Sequence, residues 1–168
     1  MFRKIGLLSC FIFLAFVLSG CCCKLELQEP DVGMKPNTKM FLQANIMVSE
    51  NTNPNSDGRP SPVTVRIYQL KSGKKFKNAD FPSLYNNDEA ILGADFVFKE
   101  EMDVHPGVEV PLERELERTT RYLGVMVTFR DFENSTWRAL TGLPSKGNIL
   151  VKIDDLSVSI WERIAIDL

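Results

Sequence analysis

Residues 63–70 read VTVRIYQL, an alternation suited to an extended strand. Val63, Val65 and Ile67 fall on one face and Thr64, Arg66 and Tyr68 on the other, because successive strand side chains point to opposite sides. Arg121 to Phe132 (RYLGVMVTFRDF) is nearly continuously apolar, the pattern of a central strand buried on both faces. Met40 to Val48, Phe96 to Val104, Val108 to Leu116 and Thr136 to Leu140 read as further strands, and Ile149 to Ala165 as one or two more. His105-Pro106-Gly107 and Gly147-Asn148 punctuate these runs, and Asp154-Asp155 marks a turn or bulge. One stretch, NADFPSLYNNDEAIL, has helical character. Asp80 would cap it, Pro82 would sit in its first turn, and Phe81, Leu84 and Tyr85 would share a face. Many short strands with turn signals between them predict an all-β fold, a two-sheet sandwich over residues 40–168 with a small helical insertion at about 76–92. The chain shows no internal repeat.

The N-terminus carries a different signal. Arg3 and Lys4 precede an apolar run of 14 residues, Ile5 to Leu18. A membrane-spanning helix needs roughly 20 such residues, so residues 1–20 read as a secretory signal peptide. Leu18-Ser19-Gly20-Cys21 resembles the lipobox of bacterial lipoproteins. That resemblance implies a diacylglycerol on the Cys21 sulfur, cleavage before Cys21 and acylation of the new amine, a covalent lipid with no other cofactor. The alternative is a secreted protein whose first cysteines form disulfides. Each buried CH₂ contributes about 0.8 kcal/mol, so one chain anchors marginally and several anchor firmly. An Asp after the lipidated Cys marks inner-membrane retention in Gram-negative lipoproteins. Cys22 stands there instead, which implies sorting to the outer membrane, facing the periplasm. Adjacent Cα atoms about 3.8 Å apart are too close for an ordinary disulfide, so Cys22 and Cys23 receive no assigned role. Lys24 to about Lys39 (KLELQEPDVGMKPNTK) is polar and reads as a tether between lipid and domain.

Loss of Arg3 and Lys4 with the signal takes Lys+Arg from 20 to 18 against 22 Asp+Glu, a net charge of −4. That balance argues against nucleic acid, which calls for clustered basic residues. A chain of this size buries about 68–70% of its unfolded surface, so one domain needs no disulfide framework.

Catalysis finds little material. His105, the sole histidine, lies in a turn, and with no cysteine after Cys23 a zinc site has too few ligands. Nucleophile elbows, phosphate loops and EF-hand patterns are absent. Asp154 and Asp155 are adjacent, so on a strand they would point to opposite faces. Glu113, Glu115 and Glu117 alternate with Arg114, Leu116 and Arg118, as on an exposed edge. Trp137, Tyr122 and Phe129 read as core rather than as partner anchors, and Arg66 and Arg130 as surface residues.

Ser49 to Pro62 (SENTNPNSDGRPSP) is the candidate for binding. This 14-residue connection is far longer than the two to five residues usual in a hairpin. Its three prolines and Asn/Asp turn formers restrict its shape, and a restricted loop loses less entropy on docking.

RPSPVTVRIYQL, ADFPSLY, LGADFVFKEEMDVHPG and RYLGVMVTFRDFENSTWR follow one another in an order that resembles the outer-membrane lipoproteins of type VI secretion systems, the TssJ/SciN family. The resemblance implies a transthyretin-like β-sandwich and a non-enzymatic anchor in the outer membrane. It implies binding to the periplasmic C-terminal region of the IcmF-like inner-membrane protein TssM, with TssL completing the complex, and no small-molecule substrate. The family's partner-binding loop joins its first two strands. Here that position gives Asn51, Asn53, Pro54, Asn55, Asp57, Gly58 and Arg59, expected as exposed contacts. The triple cysteine departs from the family's pattern. A rival reading from the fold alone is a periplasmic small-ligand carrier, which would need an apolar cavity or subunit channel.

Overall fold

The computed structural model describes residues 39–145 and 147–163, which hold eight strands and two α-helices. The signal peptide, Cys21 to Cys23 and residues 24–38 lie outside the described residues.

Strand β1 (Met40–Val48) pairs antiparallel with β4 (Glu109–Leu116) and parallel with β7 (Asn148–Asp154), and β7 pairs with β8 (Ser157–Glu162). The first sheet therefore runs β4–β1–β7–β8. The second runs β3–β2–β5–β6, from β2 (Val63–Leu70), β3 (Phe96–Val104), β5 (Tyr122–Val127) and β6 (Arg138–Gly142), all antiparallel. The result is the expected all-β, two-sheet sandwich.

Alternation fills its interior. Leu42, Ala44 and Ile46 of β1 and Ile149, Val151 and Ile153 of β7 face Val63, Val65 and Ile67 of β2 and Leu123, Val125 and Val127 of β5. Each such Val, Leu or Ile side chain contributes about 1.5–3 kcal/mol when fully removed from water.

A second core lies on the outer face of the second sheet. There Tyr68, Leu70 and Met126 pack under Phe76 of α1 (Lys74–Asn78) and Leu84 and Leu92 of α2 (Phe81–Leu92). Cover on both faces is why β5 reads as an unbroken apolar run. Gly124 permits the close approach: a Cβ there would meet Phe76 Cζ at 2.9 Å.

Asp80 caps α2 as expected, its carboxylate accepting from Ser83 N at 2.9 Å, with Pro82 in the first turn. Asn87 breaks the helix locally (φ −151°, ψ 49°), and the buried stripe is Leu84, Asp88 and Leu92. Tyr85 shares a face with Phe81 as expected, and it is 45% exposed where Leu84 is buried. Its ring stacks on Phe81 and receives the Arg66 guanidinium 4.9 Å from its centroid.

A charged cluster fastens this helix to the sheet. Asp88 accepts from the Tyr68 hydroxyl and from Lys99 Nζ, both at 2.8 Å, while Arg66 pairs with Glu101 and donates to Tyr85 O. Burial alone would push the Asp88 carboxyl up. The bonds from Lys99 and Tyr68 and the Lys99 charge outweigh it and hold the carboxyl below its ordinary value. Burial and the same Asp88 bond raise the Tyr68 hydroxyl.

Several sequence expectations shift. The run from Arg121 to Phe132 is strand only as far as Val127, and the strand expected over Thr136 to Leu140 is Arg138–Gly142. Ile149 to Ala165 yields two strands, with Asp155 and Leu156 forming the turn between them. Tyr122, expected in the core, is 39% exposed at the start of β5, whereas Phe129 is buried and Trp137 lies half-buried against both cores. Helix α1 begins at Lys74, ahead of the expected insertion. His105 is exposed, and β4, with its alternating glutamates, is an edge strand.

Candidate docking loop at one end of the sandwich

β1 ends the first sheet's run at Val48 and β2 opens the second sheet's at Val63, so residues 49–62 cross from one sheet to the other at one end of the sandwich. Three other connections reach the same end: β3–β4, β5–β6 and β7–β8.

The base of the loop is tied to all three. Ser49 N donates to Ile153 O at 2.8 Å and Ser49 O accepts from Gly107 N at 3.2 Å. Thr52 is fully buried, its hydroxyl 3.4 Å from Ile153 O and its carbonyl accepting from Ser61 N at 3.1 Å.

Asn53 is the centre of this base. It is 2% exposed and adopts φ 54°, a left-handed conformation that Asn tolerates better than most residues. Its N–H donates to Asp155 O at 2.8 Å. Its carboxamide donates to Ser61 Oγ at 2.9 Å and Pro62 O at 3.0 Å, and its Oδ1 accepts from Arg130 N at 2.9 Å. Ser61 Oγ donates to Asn53 O and accepts from Arg130 Nε.

The tip closes on itself. Asn55 Oδ1 accepts from Asp57 N at 3.0 Å and Arg59 N at 2.8 Å, and Asn55 N donates to Arg59 O at 2.9 Å. Gly58 takes φ 75°. Asn51, Asp57, Gly58 and Arg59 are exposed, and Pro54 and Asn55 are half-buried.

The expected contact residues therefore divide. Asp57, Gly58 and Arg59 stand at the exposed tip, and Asn51 is exposed beside the base. The expectation that Asn53 is an exposed contact is corrected: its side chain is spent inside the base. Asn55 directs its oxygen into the turn. Thr52, Ser61 and Arg130, which hold the loop, were not singled out as loop partners. Asn53 and Ser61 are near in sequence, but the bond to Arg130 spans 77 positions and leaves no local signal.

The family described as Type VI secretion lipoprotein, VasD, EvfM, TssJ, VC_A0113 matches residues 41–160. The solved T6SS lipoprotein TssJ1 from Pseudomonas aeruginosa is similar at 29% identity and a TM-score of 0.72, over 76% of this chain and 99% of that one. Lip from Serratia marcescens, a membrane-bound component of the type VI secretion system, shares the fold at 20% identity and TM-score 0.68, over 76% of this chain and 99% of that one. A chain from a structure described as the T6SS protein TssM C-terminal domain from EAEC is similar at 26% identity and TM-score 0.64, over 75% of this chain and 100% of that one. No curated protein matches. With the family matched along most of its length and the sandwich shared with TssJ1, this chain belongs to the type VI secretion lipoprotein family of VasD and TssJ.

Proposed function

We propose that this chain is a non-enzymatic anchor, held in the outer membrane by a diacylglycerol and an N-acyl chain on Cys21 and facing the periplasm. It binds the periplasmic C-terminal region of an IcmF-like inner-membrane protein, TssM, and so docks a membrane complex that also contains TssL. The family match over residues 41–160 carries the reading. Its site is the loop 49–62, a fixed base under an exposed tip. Such a loop has already lost much of the entropy that docking removes.

Purified full-length protein in detergent, titrated with the periplasmic C-terminal region of its cognate TssM, tests this. Saturable binding is expected, and its loss when Asn55 to Pro60 is replaced by a Gly-Ser bridge. An unaltered protein that fails to bind overturns the reading, and binding that survives the bridge moves the site elsewhere.

A further inference from the structure

We infer that the docking surface is composite: the turn Arg130 to Asn134, between β5 and β6, forms a second half that the loop's partner contacts together with the tip. The inference rests on the proposed binding of TssM.

Size is the first argument. A specific protein interface takes roughly 20–30 residues a side. Of residues 49–62, eight are exposed. The loop alone is too small, and a partner seated on its tip must extend onto surface beside it.

Three connections are tied to the loop base, and this turn is the one joined to it through two loop side chains. The Arg130 N–H is held by Asn53 Oδ1 at 2.9 Å and the Arg130 guanidinium by Ser61 Oγ at 3.1 Å, both side chains of the loop base. The turn is rigid in its own right. Asp131 Oδ1 accepts from the Asn134 carboxamide at 2.9 Å, and the Phe132 ring stacks on Phe81 of α2 with centroids 4.4 Å apart. Phe132 points inward, while Arg130, Asp131, Glu133 and Asn134 are exposed. Loop base and turn therefore move as one body, and neither half pays for ordering when a partner covers both.

Charge describes the partner. Across the two halves Glu50, Asp57, Asp131 and Glu133 outnumber Arg59 and Arg130, all exposed. The complementary surface is a folded protein face with an excess of Lys and Arg, approached faster at low salt.

The test uses full-length protein in detergent and the periplasmic region of TssM. Glu133→Lys reverses an exposed charge on the turn. Arg130→Ala removes the guanidinium and keeps the N–H on Asn53. Glu117→Lys makes the same charge change as Glu133→Lys but at the opposite end of the sandwich. A Kd raised about tenfold by either turn variant, with Glu117→Lys within about twofold of the unaltered protein, is the expected result. Both turn variants within about twofold, or Glu117→Lys weakening binding as much as they do, overturns the composite surface while the loop reading stands. An unaltered protein that does not bind overturns both.

Discussion

The carboxamide oxygen of Asn53 accepts a hydrogen bond from the backbone N–H of Arg130 at 2.9 Å, joining the β1–β2 loop to the β5–β6 turn across 77 residues. Replacing Asn53 by Ala removes this acceptor and the two donated bonds to Ser61 and Pro62, and places a Cβ residue without a local partner at φ 54°. Buried groups left unpaired cost about 1–3 kcal/mol each, and left-handed backbone about 1–2. Asn53→Ala should therefore destabilise the domain by about 2–4 kcal/mol in urea unfolding, with rapid hydrogen exchange at Arg130 N. Retained protection of that amide would show that the bond does not hold the loop.

The Asp88 cluster sets a pH dependence. A carboxyl held below its ordinary value of 3.8 favours the folded state above that pH. The contribution is lost as pH falls through the lowered folded value. Asp88→Asn, which loses the charge facing Lys99, should cost about 1–3 kcal/mol at neutral pH. The gap to the unaltered protein should narrow below about pH 3.8. A gap that stays constant down to pH 2 would remove Asp88 ionisation as its cause.

Gly124 is the point where helix and sheet come closest. A methyl there meets three atoms of the Phe76 ring between 2.9 and 3.2 Å. Phe76 is fully buried. Gly124→Ala should cost about 1–3 kcal/mol by overpacking, and Phe76→Ala about 3–5 by opening a cavity. The pair Gly124→Ala with Phe76→Leu should cost less than the sum of its single changes. Strict additivity by denaturant titration would show that the two sites do not meet.

The lipid proposal has its own test. Cys21→Ser should leave the thermal unfolding of the domain unchanged while moving the protein from the membrane to the soluble fraction and abolishing secretion. Full secretion by a released, folded protein would remove the need for an anchor.

The strands were legible because burial imposes a period of two. Met40–Val48, Val63–Leu70 and Phe96–Val104 form the strands expected there, and the alternation is clearest from Leu42 to Val48 and from Val63 to Ile67. Beyond Val127 the apolar residues serve other purposes: Phe129 fills the core from a non-strand position, and Phe132 turns to Phe81. Composition cannot distinguish those uses from a longer strand. Helix α1 has one apolar residue in five and no side-chain cap, which is too little for a period or a start signal. Within the loop, prolines and Asx residues correctly announced restricted shape. They could not say which asparagine faces inward, because the partners of Asn53 include an amide from a distant strand connection.

The two ends of β1 give the fold a mechanical character. The strand begins at Met40 and delivers the chain at Val48 into the loop, about 26 Å away at ~3.3 Å per residue. Between those points it is flanked on both sides, by eight paired positions on β4 and six on β7. Strand hydrogen bonds lie across the strand axis. A pull between Met40 and the loop therefore loads both ladders in shear, with many bonds sharing the force. Peeling, in which bonds fail one after another, needs a different direction of pull. Tension along β1 is shared by both ladders, and the loop's fastened base passes it to three neighbouring connections.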